Sequence, residues 1–319
     1  MDLLFSSYIL TFAFILILKD VSGATFTFSN NCEYTVWPGI LSNAGSSVLE
    51  TTGFELPQGT SRSLQAPTGW SGRFWGRTGC NFDGSGQGTC ATGDCGSGQV
   101  ECNGAGAAPP ATLAEFTLSG AGGQDFYDVS LVDGYNVQMV VSGSGGSGKC
   151  GTTGCVVDLN ERCPAELRVE GGCRSACEAF GKPEYCCSGE FGTPDRCQPS
   201  VYSAMFKSAC PSSYSYAYDD ATSTFTCTGA DYQITFCPTL PTSQKSSKEE
   251  SPPRNTGTDP GTEIGTEAGT GSTETESEGV MLADDAWLAS LATADARRAT
   301  LQHEIAFIAT VILLAFLLL

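Results

Sequence analysis

Sixteen cysteines, an even number, all fall between Cys32 and Cys237, and they constrain this chain more than any other feature. An even set confined to one region reads as a disulfide framework. Zinc is the rival, but the one histidine, His303, lies outside that region, and the spacings do not repeat as paired C-x2-C knuckles. Counting alone leaves roughly two million pairings for sixteen cysteines, so arithmetic does not give the connectivity. The stretch "GQGTCATGDCGSGQVEC", residues 86–102, has almost nothing apolar to bury. Bridges at Cys80, Cys90, Cys95 and Cys102 are therefore expected to hold its shape, because burial cannot.

The leader agrees with an oxidising compartment. Residues 1–23 carry an apolar stretch at 8–18 and close on Val21-Ser22-Gly23, with short residues where a signal peptidase reads. Eleven residues are too few to cross about 30 Å of hydrocarbon. The segment is read as a secretory signal with a mature start at Ala24, which places the cysteines where disulfides persist.

Charge and composition remove several function classes. Between Ala24 and Pro238 there are 21 acidic and 10 basic residues, an imbalance that disfavours nucleic acid and anionic membrane surfaces and favours a neutral or cationic partner. With no histidine there, a Ser-His-Asp or Cys-His site is not available. The glycines build no phosphate loop, since "GSGQGTC" lacks the following Lys-Ser/Thr. No cofactor and no metal is called for.

Short alternating runs such as "ATFTFSNNCEYTVW", "LAEFTL", "DFYDVSLVDGYNVQMVV", "STFTC" and "YQITFC" stand between Gly, Pro, Asn and Asp. They predict many short antiparallel strands, hence a mainly β sandwich or barrel. "CPAELRVEGGCRSACEAFGKPEYCC" breaks the alternation and predicts a cysteine-rich subdomain with a helical turn at residues 175–180. From residue 239 onward the chain turns to Ser, Thr, Pro, Gly and Glu and cannot bury a core; residues 239–294 are read as a disordered stalk suited to O-glycosylation. Residues 295–319 end in a fifteen-residue apolar run.

The same region, through "TVWPG", "GRFWGRTGCNF", "TLAEFTL", "DFYDVSLVDGYN", "CPAELRV", "YCCSG", "CPSSYSYAYDD" and "FCP", closely resembles plant thaumatin-like proteins, pathogenesis-related family 5. The resemblance spans residues 24–238 and all sixteen cysteines in order. It implies the pairs Cys32–Cys237, Cys80–Cys90, Cys95–Cys102, Cys150–Cys227, Cys155–Cys210, Cys163–Cys173, Cys177–Cys186 and Cys187–Cys197. It also implies a flattened β-sandwich with a disulfide-rich subdomain and a cleft between them. Antifungal members line that cleft with one arginine, one glutamate and three aspartates, which match Arg73, Glu115, Asp128, Asp133 and Asp219 here, with Asp220 adjoining the last. Asp128 and Asp133 are an odd five apart and would point to opposite faces of a straight strand; both reach one cleft only if the strand ends before the turn signal Asp133-Gly134.

Carboxylates gathered in a groove attract cations, accept hydrogen bonds from sugar hydroxyls, or serve as the acid and second carboxylate of a glycosidase. The resemblance implies binding or weak hydrolysis of β-1,3-glucan, with Glu115 as the acid, Asp133 or Asp128 as the second carboxylate and Arg73 as charge partner. The alternative is a non-catalytic receptor-like or structural ectodomain acting at the membrane and wall, in which Arg73 neutralises buried acids. Trp70, Phe74, Trp75, Phe82 and Tyr127 are expected in the core rather than on sugar. The protein is expected to act as a monomer. Two departures set it apart from short secreted members: the glycine-rich "SGSGGSGKC" and everything beyond residue 239.

The tail carries its own prediction. "ATADA" supplies small residues, "RRATLQHE" a polar spacer and residues 305–319 a removable apolar tail, the three parts of a glycosylphosphatidylinositol signal, with Ala294 or Ala292 as the attachment residue. Phosphatidylinositol-specific phospholipase is expected to release the protein from membranes, with no peptide from 305–319 in the released form. Recovery of that peptide from resistant, membrane-bound protein overturns the anchor.

Overall fold

The computed structural model describes residues 23–239. The expected signal peptide, the expected stalk beyond residue 239, the expected attachment residues Ala292 and Ala294 and the apolar run 305–319 lie outside the described residues. Within them no helix is long and apolar enough to cross a membrane.

Fourteen strands form among the described residues: β1 (Thr25–Asn30), β2 (Trp37–Ser42), β3 (Ser61–Gln65), β4 (Ser71–Arg77), β5 (Asn81–Phe82), β6 (Gly88–Thr89), β7 (Leu113–Thr117), β8 (Asp125–Ser130), β9 (Met139–Ser144), β10 (Thr153–Cys155), β11 (Arg168–Val169), β12 (Gly172–Cys173), β13 (Phe225–Cys227) and β14 (Asp231–Phe236). Two five-stranded sheets carry the fold, in the orders β10-β9-β14-β1-β3 and β13-β8-β7-β4-β2. Of the sandwich and the barrel left open by strand pattern alone, the sandwich forms. β1 and β14 pair in parallel, Phe26 opposite Tyr232 and Asn30 opposite Phe236, and Cys32–Cys237 closes the pair just beyond them.

Alternation decides which residues meet between the sheets. In β1, Phe26 and Phe28 point inward while Thr25, Thr27 and Ser29 stay outside. The Phe26 ring lies 4.8 Å from Phe74, 4.7 Å from Phe116 and 5.4 Å from Trp70, edge to face, and 5.7 Å from Tyr232. Such pairs add about 0.5–1.5 kcal/mol each beyond the area they bury. Trp70, Phe74, Trp75 and Tyr127 are all buried, and Phe82 is half-buried against Trp37.

Two smaller cores flank the second sheet. One, of Leu131, Tyr135, Leu159, Leu167 and Phe206 with Cys155, Cys163, Cys173 and Cys210, belongs to the cysteine-rich subdomain. There Ser175 caps the short helix Ala176–Phe180 by accepting from the Glu178 amide, where the helical turn was expected. The other gathers Trp75, Leu113, Ala111, Cys95 and Cys102 under the glycine-rich loop. A fully buried Arg77 fastens that loop to the sheet: its guanidinium donates to the carbonyls of Trp37 (3.0 Å), Pro38 (3.3 Å) and Val100 (2.6 Å). Burial lowers its pKa to about 10, with Asp94 and Glu101 acting the other way.

The structure joins the cysteines in the eight pairs that the resemblance implied. Among the described residues none is left free. The native protein is therefore expected to be heat-resistant and to give no signal in thiol titration; two reactive thiols contradict the pairing. Replacing Cys95 and Cys102 together by alanine is expected to remove roughly 2 kcal/mol, about 4–8 °C in Tm, measured by calorimetry.

Candidate functional site

The outer face of the second sheet holds the site. Register places Arg73 of β4 opposite Glu115 of β7, and Glu115 opposite Asp128 of β8, one row across three neighbouring strands. Their neighbours Phe74, Phe116 and Tyr127 point the other way, into the core. Directly opposed side chains have Cβ atoms about 4.5–5.5 Å apart, and like charges so placed repel. Arg73 answers part of that repulsion from the end of the row, with Nε 3.6 Å from Glu115 Oε1.

The row floors a groove of about 430 Å3 whose lining also includes Asp133, Asp220, Ser130, Tyr214, Phe126 and Val132. β8 ends at Ser130, so the chain turns before Asp133, and both aspartates reach the same groove despite their odd spacing. The turn is fixed on both sides. The Ala111 amide donates to the Asp133 carbonyl at 3.0 Å. Gly134 follows at φ +89°, where a Cβ would come within 2.7 Å of the Cys173 carbonyl oxygen.

Asp219 is the exception among the five expected residues. Its carboxylate turns away from the groove to Lys207, 3.0 Å from Nζ, and accepts from the Ser215 amide at 3.0 Å and hydroxyl at 2.8 Å. Its neighbour Asp220 lines the groove instead, held by a 2.7 Å hydrogen bond donated by the Tyr214 hydroxyl. Two adjacent aspartates at the head of the short helix Asp220–Ser223 carry no strand period that would tell them apart. What separates them is Lys207, which also donates to Ser213 O and Ser223 Oγ and so claims the nearer carboxylate.

Burial raises the pKa of Glu115; Arg73 lowers it and Asp133 raises it. Asp128 is raised well above its ordinary value by burial first and then by Glu115 and Asp220, with Arg73 opposing. A third of the Glu115 side chain meets solvent, yet its carboxyl sits at the floor of the groove, where protein replaces much of its hydration. Asp128 Oδ1 and Arg73 Nε are buried without a hydrogen-bond partner among the described residues. A carboxyl that keeps its proton, beside others in one groove, is equipped to donate to a sugar hydroxyl or a glycosidic oxygen. Among the described residues no group of three or more His, Cys, Asp or Glu is arranged to hold a metal.

The thaumatin family profile matches residues 30–238. The chain is 68% identical over 244 residues to Thaumatin-like protein 1 of Arabidopsis thaliana, covering 73% of this chain and 94% of that protein. It is 58% identical over 238 residues to Pathogenesis-related protein 5 of the same plant, covering 73% and 98%. A protein of Prunus avium named glucan endo-1,3-beta-glucosidase is 54% identical over 231 residues, covering 70% of this chain and 94% of its own length.

The raised Asp128 pKa fixes the sign of a pH effect. Its ordinary value is 3.8, and the folded protein holds the proton to higher pH than the unfolded chain does. Stability from this group is therefore complete below that value and is lost as pH rises through the folded pKa. Asp128→Asn, which has no charge to bury or repel, is expected to flatten this loss and to raise Tm at neutral pH, by about 2–4 °C for each kcal/mol of burial cost and repulsion relieved. Thermal melts at mildly acidic and neutral pH check it; a lower Tm for the variant at neutral pH contradicts the assigned burial and repulsion.

Proposed function

The chain belongs to the thaumatin family, and from that premise we propose that it is a secreted, defence-related protein that binds wall β-1,3-glucan in the acidic groove. The single observation that carries this reading is the row Arg73, Glu115 and Asp128, joined at the groove by Asp133 and Asp220. A neutral polysaccharide has no charge to pair with it, but its hydroxyls both donate and accept. They suit a groove that holds carboxyls whose protons persist to higher pH than usual, other carboxylates and a guanidinium side by side. Phe126 and Val132 supply apolar wall for the C–H faces of pyranose rings.

Weak endo-hydrolysis and antifungal action are the further step of the proposal. Glu115 donates a proton to the leaving oxygen as the glycosidic C–O bond breaks, and Asp133 or Asp128, ionised, takes a proton from the water that bonds to the anomeric carbon. The similarity to a relative named as a glucan endo-1,3-beta-glucosidase supports this assignment. The small-residue, spacer and apolar-tail pattern after the stalk supports display on the outer face of the plasma membrane.

Laminarin, a soluble β-1,3-glucan, tests the reading on the purified mature protein. Wild type is expected to bind it and release reducing ends slowly, and Glu115→Gln to lower the rate at least a hundredfold. Asp128→Asn with Asp133→Asn is expected to weaken binding at least tenfold. Binding without reducing ends leaves a glucan receptor and removes the enzyme; an affinity unchanged in the double variant removes the groove as the site.

A further inference from the structure

The groove holds more acid than it neutralises. Four carboxyl groups, those of Glu115, Asp128, Asp133 and Asp220, line it with one guanidinium, that of Arg73. Arg73 reaches Glu115 at 3.6 Å, and among the described residues no Lys or Arg forms an ion pair with Asp128, Asp133 or Asp220. Lys207 is held by Asp219 at 3.0 Å and does not line the groove. Asp128 Oδ1 is buried without a hydrogen-bond donor among the described residues. Burial first, and then the neighbouring acids, raise the pKa values of Glu115 and Asp128, with Arg73 opposing in both cases. A cation seated among these carboxyls offsets both effects. An ammonium suits the place, because its three N–H donors bridge separate carboxyl groups.

The rest of the lining selects the molecule that carries the ammonium. Phe126 and Val132 give apolar wall, and Asn43, Thr117 and Thr224 add half-buried amide and hydroxyl groups. A pyranose, with C–H faces and hydroxyls around its edge, matches such a mixed lining. A cationic protein would instead need apolar and aromatic surface around its inserted side chain. The exposed large apolar side chains among the described residues, Tyr34, Val48, Phe180 and Val201, do not line the groove. The acidic excess over residues 24–238 also draws a polycation toward the molecule before contact.

We infer that the groove also binds an amino sugar, a 2-amino-2-deoxypyranose of a partly deacetylated β-linked polysaccharide, with its ammonium against Asp128 and the carboxyls beside it. The inference rests on reading the groove as a polysaccharide site and adds a cationic ligand to the neutral one. Arg73 holds Glu115 from one end of the row, and the ammonium supplies the second positive charge from the open side. N-acetylation removes that charge and keeps the ring and its linkage, so the free amine is what the carboxyls recognise.

Calorimetric titration of the mature protein, slightly below neutral pH where amino sugars carry their proton, compares the β-1,4-linked glucosamine trisaccharide, its fully N-acetylated counterpart and laminaritriose. The free amine is expected to bind roughly tenfold more tightly than the N-acetylated sugar, the worth of about one charge-assisted hydrogen bond. Asp128→Asn with Asp133→Asn keeps the size of both side chains and is expected to bring that ratio to within twofold, with thermal melts confirming that the variant is folded. Glu33→Gln with Glu55→Gln removes the same charge from exposed positions outside the groove and is expected to leave the ratio intact. A ratio that falls equally in both variants refutes the groove as the ammonium site, and one that persists in the groove variant makes the preference steric and refutes it too. Trilysine binding as tightly as the amino sugar refutes a saccharide in favour of a cationic protein. If laminaritriose binds and the free amine binds no tighter than its N-acetylated form, the inference fails and the glucan reading stands. Preference for the amine with no binding of laminaritriose upholds the inference and removes β-1,3-glucan, and if no probe binds, both fail.

Discussion

The contacts of the Phe26 ring with Phe74, Phe116 and Trp70 hold the two sheets face to face, and the groove is the reverse side of those contacts. In β4 and β7 each core phenylalanine adjoins a groove residue: Arg73 before Phe74, Glu115 before Phe116. A one-residue slip of either strand would exchange the two faces, burying the charges and exposing the rings. The apolar contacts thus do more than stabilise. They set the register that puts Glu115 opposite both Arg73 and Asp128, so the chemistry of the outer face is fixed by packing on the inner one.

That outer face would be an ordinary wet sheet surface if nothing covered its ends. At one end Trp75 and Leu113 are roofed by the loop carrying Cys95, Cys102 and Ala111. At the other, the Leu131 amide donates to the Tyr214 carbonyl at 2.8 Å and the Tyr214 amide to the Val129 carbonyl at 2.9 Å, which ties the subdomain chain to the last residues of β8. The same Tyr214 positions Asp220 through its hydroxyl. One residue therefore joins the subdomain to the sheet by its backbone and completes the groove by its side chain, and the carboxyl groups sit between two covers that lower their access to water.

The inner face was legible in the sequence, because alternation of apolar residues reports burial directly: "TFTF" gives Phe26 and Phe28 without further help. The outer face was legible only through the family resemblance and one spacing argument, that Asp128 and Asp133 share a groove if β8 stops in time. Register was not legible. Which carboxylate opposes which depends on how the turn between β7 and β8 closes, and charged residues carry no alternation signal of their own. Asp219 shows the limit. Its place was set by Lys207, twelve residues earlier on the helix Val201–Ala209, and no local pattern reports such a contact. Arg77 was missed for a related reason: it lies four residues from Arg73 on the same strand, and only the loop above makes one arginine buried and the other a groove residue.

The loop above Arg77 also shows how so glycine-rich a segment is held against the sheet. A loop held by burial alone would need large apolar side chains of its own packed against the sheet. Here stiffness comes from other sources. Two short disulfide loops, Cys80–Cys90 and Cys95–Cys102, limit the unfolded alternatives. Arg77 fills the space beneath with a guanidinium that donates to the backbone carbonyls of Trp37, Pro38 and Val100. Glu101 then pins the far side: burial alone would raise its pKa, but hydrogen bonds from Thr51 and Thr52 outweigh that and lower it. A buried cation and a hydrogen-bonded carboxylate, each satisfied locally, take the place of a hydrophobic wedge. The cover over Trp75 and Leu113 is consequently held in place without large apolar side chains of the loop's own.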